Sequence, residues 1–284
     1  MEIINRRARM SSLTRKLRRE NKTVGFVPTM GALHAGHLSL VQDARQMCDV
    51  VIVSIFVNPA QFNETVDFQK YPRDLTADAA LLSEYQVDYV FAPDKEEIYG
   101  ENFSTFVTVE NLTGTLEGAS RPGHFRGVAT VVTILFNTIR PDFAFFGQKD
   151  AQQVGIIKRL TQDLGFDTEI IVGKTVREES GLAMSSRNAL LSGEEREKAS
   201  VIYKALRAAK IAVKEGERNT AAVAGIVRST IAGEPLAQLD YVAVVDNETL
   251  APVEKIGENA VLIAVAARFG SVRLIDNTVI NKRS

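Results

Sequence analysis

The sequence predicts an α/β fold: a doubly wound parallel, Rossmann-like sheet followed by a second, smaller C-terminal α+β domain. Three observations carry that expectation. Short runs rich in β-branched residues alternate with amphipathic stretches through residues 1–173. A glycine-rich turn, Met30-Gly31-Ala32-Leu33-His34-Ala35-Gly36-His37, joins one such run to the helical stretch after it. Beyond about Gly173, strand signals succeed one another without helices long enough for parallel crossovers.

Taken in order, Val24 to Pro28 reads as a strand, Gly36 to Met47 as a helix with apolar Leu38, Leu40, Val41 and Ala44, and Val50 to Val57 as a buried strand. A helix over Thr76 to Tyr85, a strand over Tyr89 to Ala92 and a long apolar helix over Gly127 to Ile139 follow. The pattern then gives a strand Phe143 to Phe146, a helix Ala151 to Leu164 and a strand Thr168 to Val172. Right-handed crossovers would wind these into one sheet with helices on both faces. In residues 174–284, Ser192 and Glu195 have the spacing of a capping box, and helical periodicity runs from there to about Lys214. A second helix covers Thr220 to Ala232, and strands over Leu239 to Val245, Ala260 to Ala267 and Val272 to Asp276 predict an antiparallel sheet.

Composition narrows the function. The chain has 284 residues, 45% hydrophobic and 24% charged, with a formal net charge of −1, so it lacks the broad basic footprint of a nucleic-acid or anionic-membrane binder. The basic stretch Arg15 to Arg19 reads as a solvated helix face. No apolar run is long enough to span a bilayer, and the first residues lack the apolar core of a secretory signal. The lone Cys48 excludes an internal disulfide, reads as buried packing, and suits a reducing, cytoplasmic location.

Four stretches could carry chemistry. At a strand-to-helix turn, backbone N–H groups and the helix dipole favour a phosphate; Gly31 and Gly36 allow close approach, and the imidazoles of His34 and His37 add donors. Two surface histidines on a loop is the plainer alternative. A zinc site would lack a Cys-x-x-Cys or His-Glu-x-x-His partner, and neither a P-loop nor Gly-x-Gly-x-x-Gly is present. Phe146-Gly147-Gln148-Lys149-Asp150-Ala151-Gln152-Gln153 sits at another strand end; Lys149 could neutralise phosphate charge while Asp150 and Gln153 contact polar groups, or Asp150 could simply cap the next helix. Met184-Ser185-Ser186-Arg187 offers two hydroxyls and a guanidinium to a triphosphate, or is a polar loop. Asn58 and Gln61, beside Phe56 and Phe62, suit a small polar organic substrate, and Arg121, His124 and Arg126 could attract a carboxylate or be exposed loop charges.

Read together, Pro-Thr-Met-Gly-x-Leu-His-x-Gly-His, Ser-Ile-Phe-Val-Asn-Pro-x-Gln-Phe, Glu-Gly-x-x-Arg-Pro-Gly-His-Phe-Arg-Gly-Val, Phe-Gly-x-Lys-Asp and Ser-Ser-Arg resemble the pantoate–β-alanine ligase family of the HxGH nucleotidyltransferase superfamily, over essentially the whole chain. Met184 to Arg187 also looks like the lysine- and serine-containing loop of class I aminoacyl-tRNA synthetases, with Arg187 as the terminal cation.

The resemblance implies ATP-dependent condensation of (R)-pantoate with β-alanine to pantothenate, AMP and pyrophosphate through a pantoyl adenylate. It implies an ATP site of Met30, Gly31, Ala32, Leu33, His34, Ala35, Gly36 and His37, completed by Gly147, Gln148, Lys149, Asp150, Val176, Met184, Ser185, Ser186 and Arg187. His34, His37 and Lys149 would be catalytic, with His37 the proton donor to departing pyrophosphate and Lys149 steadying phosphate charge. Gln61 and Gln153 would hold pantoate, and Gln61 would border β-alanine. Mg²⁺ would accompany ATP without a dedicated protein site. Residues 1–173 would bind ATP and pantoate, residues 174–284 would cover the active site, and the protein would be a homodimer. A related HxGH nucleotidyltransferase that keeps the nucleotide on its product is the alternative, and a non-catalytic nucleotide-binding module is a third reading. No role follows for Arg121, His124 or Arg126.

Overall fold

Val24–Thr29, half of it β-branched, and Val50–Ile55, nearly all β-branched, are buried almost throughout, as strands covered on both faces require. A computed structural model, which describes residues 1–63, 68–69 and 71–281, places them at the middle of a parallel sheet. Its strands are β1 (Glu2–Ile4), β2 (Val24–Thr29), β3 (Val50–Ile55), β4 (Tyr89–Phe91), β5 (Phe143–Gly147) and β6 (Glu169–Gly173), in the order β1-β4-β3-β2-β5-β6. Every neighbouring pair is parallel. The larger helices that accompany them are α1 (Arg7–Arg19), α2 (Ala35–Met47), α3 (Leu75–Glu84), α4 (His124–Ile139) and α5 (Ala151–Asp163).

The chain builds outward from β2 through β3 to β4, then returns to add β5 and β6 on β2's other side. That reversal between β2 and β5 is a topological switch point, where open α/β sheets receive ligands at the carboxyl ends of the strands. β2 ends at Thr29 and runs into Met30 to His37; β5 ends at Gly147 and runs into Gln148 to Gln153. Leu38, Leu40, Val41 and Ala44 of α2 pack with Val51, Val53, Leu82, Val90 and Phe145 in one buried cluster, so the helix after the turn is anchored on the sheet.

The described residues fall into two compact units, Met1–Gly147 with Ile156–Lys174, and Gln148–Gly155 with Thr175–Ser284. The second contains an antiparallel sheet of β7 (Ala237–Asp246), β8 (Val261–Phe269) and β9 (Val272–Ile280). Helix α6 (Val201–Lys214) buries Ile202, Leu206, Ala209 and Val213 at helical spacing, and β8 supplies Val261, Ile263, Val265, Ala267 and Phe269 at alternate positions to the same core. Helix α7 (Thr220–Ala232) adds Val223, Val227 and Ile231.

The structure bears out the α/β class and the antiparallel C-terminal sheet; element ends shift by two or three residues, as where β3 stops at Ile55 and α4 begins at His124, and larger differences from the sequence reading follow. β1, with one buried residue, lies outside that reading, as does the first part of α1; the solvated helix face expected over Arg15 to Arg19 is present, with Arg15, Lys16, Arg18 and Arg19 exposed and Met10, Thr14 and Leu17 turned inward. The continuous helix expected from Ser192 to Lys214 is broken into Gly193–Lys198 and α6. The capping box of Ser192 and Glu195 forms, but Ser200 Oγ donates to the Glu197 carbonyl at 2.7 Å, a local bond that competes with the helix ladder. β9 extends past Asp276 to Ile280, because Asp276 and Asn277 interrupt the apolar signal without interrupting the strand. Finally, nothing in the sequence marks Gln148–Gly155 as grouping with the C-terminal unit. No helix among the described residues is long and apolar enough to cross a membrane.

Cys48 is buried, and burial together with the nearby negative charge of Asp142 pushes its thiol up from 9.0 to about 11. At pH 8 the native protein should therefore react with Ellman's reagent about a hundredfold more slowly than a denatured sample, because only the thiolate attacks. Equal rates in the two states would contradict this packing.

Candidate active site

The turn after β2 runs left-handed at two successive residues, Gly31 at φ 80° and Ala32 at φ 50°. Glycine adopts that conformation freely, whereas alanine there costs about 1–3 kcal/mol and persists only where neighbours enforce it. The enforcement comes from Asp78 of α3, a carboxylate 4% exposed. Its Oδ2 accepts from Ala32 N–H at 3.0 Å and its Oδ1 from Leu33 N–H at 2.8 Å. A Cβ at Gly31 would lie 2.8 Å from Asp78 Oδ2, so the glycine also makes room for the carboxylate. The backbone donors of Ala32 and Leu33, expected to face a phosphate, are thus occupied inside the protein.

His34 is the N-cap of α2, and its Nδ1 accepts from Gly36 N–H at 3.1 Å. His37 Nδ1 accepts from His34 N–H at 3.4 Å, and the two rings lie 4.1 Å apart, tilted by 32°. Because each Nδ1 receives a hydrogen, each neutral ring carries its own proton on Nε2. Nε2 is the donor atom of both.

Pro59–Gln61 forms a single tight helical turn capped by Asn58, whose Oδ1 accepts from Ala60 N–H at 3.2 Å. Asn58 Nδ2 donates to Gln61 Oε1 at 2.9 Å and to the Gly127 carbonyl at 3.1 Å, while Tyr99 O–H donates to Asn58 Oδ1 at 2.6 Å. Burial pushes the Tyr99 phenol well above its usual range, against the opposing pull of that hydrogen bond, so it stays a donor. Gln61 Nε2 meets Met30 Sδ at 2.9 Å, which brings this glutamine to the start of the glycine-rich turn.

His124 now has a partner. Its Nδ1 lies 2.7 Å from the Gln61 carbonyl, which only accepts, and its Nε2 lies 3.3 Å from an Arg121 guanidinium nitrogen, which only donates. The ring is therefore the neutral Nδ1–H tautomer, and Arg121 also donates to the Gln61 carbonyl at 3.3 Å. Arg121 and His124 grip the backbone of Gln61 instead of forming exposed loop charge, and Arg126 stacks on Phe106 at 3.7 Å. Gly127 completes the lock: a Cβ there would lie 2.2 Å from the Ala60 carbonyl oxygen and 2.7 Å from Gln61 N.

The remaining candidates, apart from Gly147 at the end of β5, belong to the second unit. Gln148–Asp150 form a short turn before α5, with Lys149 Nζ 3.7 Å from Asp150 Oδ1 and Gln153 partly buried one turn later. Met184 N–H donates to the Val176 carbonyl at 3.0 Å across a narrow hairpin bridged at Arg177 and Ala183. Ser185 Oγ caps the turn Ser186–Leu190 by accepting from Arg187 N–H at 3.2 Å. Asn188 Nδ2 ties that turn to Glu178 Oε1 at 2.8 Å and to the Ala183 carbonyl at 3.1 Å. Sequence reasoning missed Asp78, Tyr99 and Gly127 as parts of the site; each acts through contacts with a distant segment and leaves no periodic trace. Among the described residues, no group of three His, Cys, Asp or Glu side chains is placed to hold a metal ion.

Comparison with known proteins places these observations in a family. Residues 2–279 match the family described as Pantoate-beta-alanine ligase. The pantothenate synthetase of Heliobacterium modesticaldum is 51% identical over 280 residues, covering 99% of each chain. A crystal structure of pantothenate synthetase from Thermus thermophilus superposes with a TM-score of 0.91 at 45% identity, over 98% of this chain and 99% of that one. The pantoate–β-alanine ligase of Francisella tularensis, crystallised with a β,γ-ATP compound and β-alanine, gives a TM-score of 0.81 at 38% identity, over 98% and 97% of the two chains.

Replacing Gly127 with alanine should destabilise the fold by about 1–3 kcal/mol, because backbone atoms of Ala60 and Gln61 must shift to admit the new methyl group. Urea unfolding measures it, and a wild-type midpoint would show that the turn has slack the geometry denies.

Proposed function

Because the chain belongs to the pantoate–β-alanine ligase family and is a ligase of that class, we propose that it condenses (R)-pantoate with β-alanine, converting ATP to AMP and pyrophosphate. The observation that carries this reading at the level of residues is the pairing of Gln61 with Met30 beside two imidazoles whose donor atoms are Nε2. An uncharged amide group meets the first residue of the segment that carries these donors.

In the first step the pantoate carboxylate attacks the α-phosphorus of ATP; the bond to the β-phosphate breaks, and pantoyl adenylate and pyrophosphate form. Gln61 and Gln153 hold pantoate by hydrogen bonds that place its carboxylate without adding charge, and alignment of this kind supplies much of the acceleration. Met30 to His37 take the nucleotide, with His34 and His37 at the phosphates. His37 Nε2–H donates a hydrogen bond to the departing pyrophosphate, and the bonded Nδ1 fixes the tautomer that keeps this donor in place. Lys149 stabilises charge at the attacked phosphate, and Gly147, Gln148, Asp150, Val176 and Met184 to Arg187 complete the ATP contacts. In the second step the free amine of β-alanine attacks the acyl carbon beside Gln61; the bond to AMP breaks, and the amine loses a proton to give pantothenate.

Mg²⁺ would accompany ATP and neutralise its triphosphate, without a dedicated protein site. In this reading residues 1–173 bind ATP and pantoate while residues 174–284 supply Val176 and the Met184 to Arg187 loop. A homodimer in the cytoplasm is the proposed form; the buried, protonated Cys48 fits a reducing compartment. The family match favours the ligase over a nucleotidyltransferase that keeps AMP on its product.

The test supplies ATP, Mg²⁺ and pantoate with and without β-alanine. Pyrophosphate release should need pantoate, and AMP release should need β-alanine as well; AMP retained on the final product would sink the ligase reading. His37→Ala should keep its circular dichroism while losing about 100-fold or more in turnover, the usual worth of one positioned donor to transition-state charge. Near-native turnover would remove His37 from the mechanism.

A further inference from the structure

β9 carries Asp276 and Asn277 in its middle, opposite Val265 and Ala264 of β8, and both side chains are buried. Apolar residues would continue the core pattern there, and a buried ion pair is a weak source of net stability. What the two side chains touch explains them better. Asn277 Nδ2 donates to the carbonyls of Gln148 at 3.0 Å and Lys149 at 2.8 Å, and Asn277 Oδ1 accepts from Gln148 Nε2 at 3.0 Å. Both donors and the acceptor of the amide are used on one turn. Asp276 takes the Arg177 guanidinium in a bidentate pair at 2.5 and 3.0 Å, and its Oδ1 also accepts from Asn277 N–H at 2.8 Å. Arg177 in turn donates to the Gly181 carbonyl at 3.1 Å and lies 3.9 Å over the Tyr203 ring, so it fixes the hairpin that joins Val176 to Met184.

We propose that Asp276 and Asn277 are positioning residues for adenylate formation: Asn277 sets the backbone that carries Lys149, and Asp276, through Arg177, sets the hairpin that leads into Met184 to Arg187. Successive residues of a strand point to opposite faces, so one dipeptide reaches two loops at once. This inference rests on the reading that Lys149 and Met184 to Arg187 contact ATP.

The experiment is pantoate-dependent exchange of labelled pyrophosphate into ATP, which reports adenylation alone, with melting temperature measured in parallel. Asn277→Ala should lower the exchange kcat by about 10- to 100-fold, the scale of an ångström-level misplacement of a catalytic group. The same substitution made in Lys149→Ala should cost little more, since a residue acting through another loses its effect once that partner is gone. Asp276→Asn should raise the ATP KM severalfold with a smaller change in kcat. If Asn277→Ala does not fold, Asn277→Ser, which keeps one donor, should show a partial loss of kcat. Wild-type kcat in a folded Asn277 variant, or losses that multiply in the double variant, would overturn the proposal even if the melting temperature falls. Full exchange activity in Lys149→Ala would instead overturn the role of Lys149 itself, and the inference with it.

Discussion

A buried carboxylate holding two consecutive backbone N–H groups is the contact on which the first unit's site depends. Without Asp78, the N–H groups of Ala32 and Leu33 would be left short of partners in a half-buried turn and the left-handed Ala32 would lose its support. The turn's conformation fixes where Met30 lies against Gln61 and where His34 begins α2. Helix α3, whose own sequence suggests only packing, therefore determines the geometry of a loop far from it in the chain.

The three histidines divide by tautomer. His34 and His37 accept at Nδ1 and keep Nε2 as donor, whereas His124 donates at Nδ1 and accepts at Nε2. The first two are thereby suited to proton and phosphate chemistry. His124 instead stiffens the peptide that presents Gln61. Which nitrogen carries the proton is set by the partner at the other nitrogen, and those partners are backbone groups that residue identity does not reveal.

Strands and helices buried on a continuous face were legible in the sequence, because burial imposes periodicity: β2, β3, α2 and the alternate residues of β8 are examples. The candidate stretches were legible as motifs, since a turn between strand and helix has characteristic residues. Elements with little burial were not, which is why β1 and the start of α1 escaped, and the break between Lys198 and Val201 interrupts a helix whose apolar pattern continued unbroken. Least legible were single polar contacts across long sequence separations, such as Tyr99 on Asn58 or Asn277 on the Lys149 carbonyl. Each depends on the finished fold, and none repeats.

The polar pair in β9 also bears on how the last strand finds its place. A one-residue slip against β8 in one direction would carry Asn277 toward the guanidinium and leave that cation unpaired; a slip in the other would carry Asp276 toward two carbonyl oxygens and set like partial charges face to face. A strand of small and branched apolar residues alone could slide with modest penalty. Asp276 and Asn277 make the correct alignment self-checking, so the end of the chain is proofread by the loops it serves.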